Sequence, residues 1–375
     1  MKFWGRLAVL LLAILGAFAV WYSWPQQKPL SRVTFGDLPG WRQGDAGPAL
    51  AAFKRSCVLL EKMPPDSAMG GYGGTARDWL AACADAERAK DARRFFENDF
   101  VPFAVDGGGR GIFTGYYEPQ LRGNLTRQGA FQTPVYGLPP DLIRVDLSLF
   151  SSQFRGEHVS GKLSGQSLVP YAERAQIDHR GLPDAPILFY TDDPVALFFL
   201  QIQGSGRVRF ADGAEMRVAY AGENGQPYTA IGRAMIEQGI LTRENVSLQS
   251  IRDWLRAHPD KARGVMETDK SFVFFKLAPI GDASLGSPGA QGASLTPLAS
   301  MAIDPRLHPL GAPFFVASGA LNGLFIGQDI GGAIRGPVRG DIFFGFGEKA
   351  ASRAGSMKAE GHLFVLLPTA LAARQ

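Results

Sequence analysis

The residues best placed to do chemistry lie near the C-terminus, in Gln328–Gly347, QDIGGAIRGPVRGDIFFGFG. Two carboxylates, Asp329 and Asp341, stand there among Gly331, Gly332, Gly336, Gly340, Gly345 and Gly347. Glycine lets a backbone take positive φ or lets another group approach closely. Ala333-Ile334 and Ile342–Phe344 read as short buried strands. A carboxylate at a strand edge, flanked by bare backbone, suits an extended ligand lying in a groove. A tight hairpin with two surface aspartates fits the same residues. Two more carboxylates stand out: Glu118 before Pro119, and Asp304 before Pro305 at the end of a strand over Pro297–Asp304.

Elimination narrows the chemistry. Among His158, His179, His258, His308 and His362 no two have a metal-ligand spacing such as i, i+4, which argues against a zinc hydrolase. Gly204-Ser205-Gly206 lacks the third glycine and βαβ context of a dinucleotide site, and the preceding glycine of a nucleophile elbow. Net charge is +4, with no basic run interleaved with aromatics, so nucleic acid is not an expected partner. No cofactor or metal is expected. Acid–base work by carboxylates remains. Glycosidic bonds are normally cut by a pair of them. One suffices when the substrate supplies its own nucleophile. That acid must stay protonated near neutral pH, and apolar neighbours such as Phe343 or Phe344 raise a carboxyl pKa.

The elements that position these groups read as mainly β. A chain of 375 residues suits about two domains. With 46 Gly, 25 Pro and 26 Phe, short strands and tight turns are favoured over a helical bundle. Helical patterns cover residues 47–63 and 75–98, separated by Gly70–Gly74, and recur at Thr229–Glu237 and from a Ser247 cap to His258. In the strand Ile112–Thr114 and onward, Tyr116 and Tyr117 point to opposite faces, so one is expected to face solvent or ligand. Cys57 and Cys83 lie on apolar helix faces, as a disulfide or as two buried thiols.

The N-terminus sets the compartment. Lys2 and Arg6 precede the uncharged apolar run Leu7–Trp24, a membrane anchor or a signal peptide with a cleavage-like Ala17-Phe18-Ala19. Residues 25–46 read as a linker. Export is expected, and no cysteine follows the run to accept a lipid, so a lipoprotein is not.

Seven stretches together resemble the membrane-bound lytic murein transglycosylase A family. They are FTGYYEP (Phe113–Pro119), TRQGAFQTPVY (Thr126–Tyr136), QGSG (Gln203–Gly206), YAGENGQPYTAIG (Tyr220–Gly232), SFVFFK (Ser271–Lys276), DPRLHPLG (Asp304–Gly311) and DIGGAIRGPVRGDIFFGFG (Asp329–Gly347). The C-terminal part is similar to the domain named for three aspartates, here Asp304, Asp329 and Asp341. The resemblance implies a double-ψ β-barrel over 47–117 and 271–375, with N-terminal helices. A smaller β-rich domain over 118–270 is inserted, with a glycan groove between the two.

It also implies a monomer in the periplasm of a Gram-negative bacterium, acting on the peptidoglycan glycan strand. It would touch the membrane through the N-terminal segment if that stays uncleaved. The implied reaction cuts the β-1,4 bond between N-acetylmuramic acid and N-acetylglucosamine, leaving a 1,6-anhydro end. Asp341 matches the family's single acid and base. Asp329, Thr114, Tyr116, Tyr117, Gln203, Gly204 and Ser205 are groove candidates, and Asp304 is assigned to barrel structure. Glu118 is a departure that keeps a two-carboxylate hydrolase in play, and a non-catalytic glycan-binding module is the other alternative.

Overall fold

The structure is a computed structural model that describes residues 30–154, 157–319 and 321–375. The apolar run Leu7–Trp24 lies outside the described residues. Among the described residues, no helix is long and apolar enough to cross a membrane.

From Leu30 onward, the stretch expected to be a linker is part of the body. Strand β1 (Leu30–Arg32) pairs antiparallel with β2 (Phe100–Val105). Trp41 is buried against Phe35 and Phe315, and its Nε1 donates to Glu97 at 2.7 Å. Leu38 is buried with it, and Leu30, Val33 and Phe35 pack against the same core, so a few apolar side chains dock an otherwise polar segment. Helices α1 (Gly47–Leu60), α2 (Arg77–Arg88) and α3 (Ala92–Asp99) follow. The helix expected over 75–98 is thus two, and Asp91 caps the second through Arg94 N at 3.1 Å. Cys57 and Cys83 form a disulfide between α1 and α2 across 26 residues. Loop closure of that length contributes roughly 3.5 kcal/mol in the chain-entropy account. Then comes β3 (Gly111–Glu118).

The insert begins with β4 (Gln120–Asn124), β5 (Thr133–Tyr136), β6 (Ile143–Asp146), β7 (His158–Ser164) and β8 (Ser167–Pro170). It continues through α4 (Arg174–Arg180), β9 (Ile187–Thr191), α5 (Pro194–Gln203), β10 (Gly206–Phe210) and β11 (Glu215–Glu223). It closes with α6 (Ile231–Glu237), α7 (Leu248–Ala257), α8 (Pro259–Met266) and β12 (Val273–Pro279). One sheet runs β12-β11-β10-β4-β9-β5, and a small one runs β6-β7-β8. Helix α5 is apolar on all sides, as a helix buried on both faces must be. Leu197 and Leu200 pack on the sheet, while Val195, Phe198 and Phe199 pack on the insert's later helices. Asp193 caps it through Ala196 N at 2.8 Å, Pro194 opens it, and Gly204 ends it at φ +80°.

The strand within SFVFFK was expected to resume the barrel at Ser271. Instead β12 pairs with β11 from Val273 to Pro279, and Val273 and Phe275 fill the insert's core. The boundary therefore falls after Pro279.

The barrel resumes with β13 (Ser300–Ile303), β14 (Pro313–Ala317), β15 (Asn322–Ile330), β16 (Arg339–Phe346), α9 (Gly347–Ser356) and β17 (Lys358–Pro368). Sheet order is β1-β2-β17-β14-β15-β13-β16-β3, and a further β17–β3 pairing closes the last six strands into a barrel. Two pairings are parallel, β13 with β15 and β16 with β3. Parallel neighbours need long crossovers, and this gives the double-ψ barrel its interlocked loops. Met301, Ile303, Phe314, Phe325 and Val365 are fully buried in its core. The whole is mainly β with some α. A cleft runs between barrel and insert, lined by Tyr117 and Glu348 on one side and by Arg122, Phe199 and Arg252 on the other.

Candidate active site

The strand register builds the site. On β13, Ala302 is level with Asp329 of β15 and with Asp341 of β16, and Asp341 is level with Thr114 of β3. Asp329, Ala302, Asp341 and Thr114 therefore form one row across four strands. Two strand spacings put the two aspartate Cα atoms about 10 Å apart. Ala302 between them is buried against Tyr116, Leu295, Ile334 and Phe343. Gly340 lets β16 sit tight against β13, since a Cβ there would lie 2.4 Å from Met301 Sδ.

Asp341 is half-buried. Its Oδ1 accepts from Thr114 Oγ1 at 2.6 Å, and Thr114 Oγ1 in turn accepts from Arg339 Nη2 at 2.9 Å. Its Oδ2 has no protein partner among the described residues and is not sealed from solvent. Burial pushes the Asp341 carboxyl up to about 6, against the opposing pull of Thr114 and Arg339, with Asp329 adding to the rise. Tyr116, Phe343, Leu295 and Ile334 form the apolar floor beneath the row.

Asp329 is different. Its Oδ2 accepts from Tyr116 Oη at 2.8 Å, and its Oδ1 accepts from the backbone of Ala290 and Ile330 at 3.0 and 2.9 Å. Burial raises its carboxyl too, while these three donors pull it down. Both oxygens are committed, so Asp329 holds Tyr116 and the 287–296 loop in place. The loop is stapled again by Gln291, which accepts from Ser56 Oγ of α1 at 2.8 Å. Gln328, next to Asp329, is fully buried and donates to Ala52 O at 2.9 Å and Ser56 Oγ at 2.8 Å. Helix α1 thus fixes the strand that carries Asp329.

Asp304 lies outside the row. It is fully buried, takes Arg306 through both oxygens, and accepts from Gly336 N at 2.9 Å. The Arg306 guanidinium holds its carboxyl far below the usual range. It pins the β15–β16 loop. His308, also buried, does the same by donating from Nε2 to Pro337 O at 2.8 Å and accepting from Tyr72 Oη at 2.6 Å.

The other candidates gather elsewhere, at the seam between barrel and insert. From Thr114 to Glu118 the strand advances about 13 Å. Tyr116 and Tyr117 are both buried, and of the two Tyr117 lines the cleft between barrel and insert. Tyr116 lies in the apolar cluster beneath the aspartate row, and Tyr117 is covered by Ala350, Ala351 and Ala354 of α9. Gln203 accepts from Tyr117 N at 3.0 Å, Gly204 ends α5, and Ser205 Oγ reaches Glu118 at 3.5 Å. Glu118 is 1% exposed. Its carboxylate sits 3.5 Å from both Arg207 and Arg217, and also accepts from Ser287 N. A carboxylate so enclosed cannot meet a sugar, so it is no second acid or nucleophile beside Asp341.

Arg339 and Ala302 complete the site and were missed in the sequence. Arg339 stands two residues before Asp341, on the same strand face, so the period of two was the available signal. Nothing in the sequence marks Ala302, which matters only through its register.

Two family models match the chain: the MltA specific insert domain over residues 112–276 and the 3D domain over residues 299–367. The chain is 33% identical over 309 residues to the membrane-bound lytic murein transglycosylase A of Escherichia coli K12, covering 77% of this chain and 74% of that protein. Among solved structures, a membrane-bound lytic murein transglycosylase from Agrobacterium tumefaciens superposes with a TM-score of 0.82 at 32% identity, over 92% of this chain and 99% of that one. E. coli MltA with bound chitohexaose gives a TM-score of 0.68 at 28% identity, over 91% of this chain and 95% of that one.

Proposed function

This chain belongs to the membrane-bound lytic murein transglycosylase A family, and we propose that it is a peptidoglycan lytic transglycosylase of the periplasm in which Asp341 serves as both acid and base. Asp341 protonates the glycosidic oxygen as the bond from C1 of N-acetylmuramic acid to N-acetylglucosamine breaks. The carboxylate then takes the proton of the C6 hydroxyl as its oxygen bonds to C1. The product ends in a 1,6-anhydro ring, and no water is consumed. General acid–base help of this kind contributes roughly 10²–10⁴-fold.

The observation that carries this reading is the inequality of the two aspartates. Asp341 keeps one oxygen open to solvent and a carboxyl raised to about 6, whereas both oxygens of Asp329 are engaged. Asp341 is thus the group able both to give and to take a proton near neutral pH. A relative solved with chitohexaose supports a linear, β-linked amino-sugar chain as the ligand class.

The test is digestion of murein sacculi with mass spectrometry of the products. Anhydro-muropeptides are expected. Reducing ends alone would mean a hydrolase, and no release would mean a binding module.

A further inference from the structure

A cavity of about 860 Å³ opens inside the insert, separate from the aspartate row. Strands β5 and β9 wall one side, and helices α4, α5, α7 and α8 wall the other. Its floor is apolar, with Ile177, Phe198, Leu255 and Met266. Its mouth is charged. Arg122 and Arg256 are paired there with Asp192 and Asp193 at the start of α5. Arg127, Arg263 and Asp178 also line it, and among the described residues none of these three has an ion-pair partner within 4.0 Å. All three are exposed. Arg127 spends only its Nε–H, on Gln132 at 2.8 Å, and leaves the rest of its guanidinium open.

We propose that this cavity receives the peptide stem borne by the muramic acid residues of the glycan, making the insert a reader of stem-bearing strands; this rests on peptidoglycan being the substrate. The chemistry matches on three counts. A murein stem carries several carboxylates and one free amine. The mouth offers two uncommitted guanidiniums and one uncommitted carboxylate. Guanidinium forks are the preferred partners of carboxylates. The apolar floor takes the alanine methyls and the methylene chain of the diamino acid.

Reach also agrees. Helix α5 runs from Pro194 at the cavity to Gln203, which is bonded to Tyr117 of the barrel. Its ten residues span about 15 Å. An extended stem of four or five residues spans about 14–18 Å. The cleft and the cavity share Arg122, Asp192, Asp193 and Arg256 as lining, so a stem on a sugar held at the barrel–insert seam reaches the cavity past the N-terminal end of α5.

The test compares the full protein with an Arg127→Gln/Arg263→Gln double variant on two substrates: glycan strands bearing stems, and strands stripped by an amidase. The double variant is expected to lose about ten-fold in kcat/KM on stem-bearing strands, through KM, the scale of two lost solvent-exposed ion pairs. On stripped strands it should equal the parent. An equal loss on both, or no loss on either, overturns the proposal.

Calorimetric titration of the free tetrapeptide stem does not depend on turnover, so it separates this proposal from the failure of the lytic reading. The parent should bind it, and the double variant about ten-fold more weakly. Asp178→Asn should weaken binding of a stem acetylated only at its N-terminus, which keeps the diamino acid's amine, but not of one with both amines acetylated. Equal affinity in parent and double variant, or absence of binding to both, refutes the stem site.

Discussion

Strand β3 borders two carboxylate sites about 13 Å apart, and they are built in opposite ways. Beside Thr114, Asp341 has one hydroxyl donor, a guanidinium one bond further off, and an open oxygen. At the far end, Glu118 is saturated by Arg207, Arg217, Ser287 N and Ser205. They differ in exposure, Asp341 being half-buried with one oxygen open and Glu118 1% exposed, and they differ in how many donors each carboxylate is given. A buried carboxylate with too few donors holds its proton and can trade it. One with a full set becomes a structural joint.

The sharpest way to break the comparison is to neutralise each group. Asp341→Asn should lower anhydro-muropeptide release at least about 10³-fold while binding glycan like the parent. Full turnover by that variant would move the acid elsewhere. Glu118→Gln should keep the chemistry but lose about 3–5 kcal/mol of stability, because two arginines are left buried without a counter-charge. Denaturant melts beside the same digest check this. Equal loss of activity in the two variants would erase the distinction.

The next effect is opposite in sign. Asp341 binds its proton more tightly folded than unfolded, so its contribution to stability is complete at low pH and is lost as pH rises from about 4 to about 6. Asp341→Asn should therefore stabilise the protein at pH 7.5 by about 2–3 kcal/mol and change little at pH 4. Destabilisation at pH 7.5 would mean that the carboxylate is better satisfied than its contacts indicate.

Two smaller effects concern the pH profile. The parent's kcat/KM should fall as pH rises through about 6, where Asp341 loses its proton. Thr114 donates to the charged form and holds the carboxyl down. Thr114→Val should shift that falling limb upward by about one pH unit, the scale of one charge-assisted hydrogen bond. An unmoved limb would remove Thr114 from the site.

Much of this was legible in the sequence because glycines and carboxylates are local signals. The Gln328–Gly347 stretch showed its two aspartates, the Ser247-capped helix emerged nearly where expected, and SFVFFK was a strand. The rest depended on partners distant in the chain. SFVFFK carries no mark of which sheet it joins, and β11 decides that. The tyrosine pair alternates as expected, but α9 covers Tyr117 and the cluster beneath the aspartate row takes Tyr116. Glu118 looked like a second acid because its two arginines lie some 90 and 100 residues further on.

The Glu118 joint has one more consequence. Ser287 N donates to the Glu118 carboxylate, so the chain leaves the barrel and re-enters it within one side chain's reach. Closing a slack loop of roughly 165 residues would cost about 4–5 kcal/mol in entropy. The insert has its own cores and holds its two ends together. The host therefore sees a short tether, and a few-residue bridge from Glu118 to Ser287 should leave a self-sufficient miniature of the barrel.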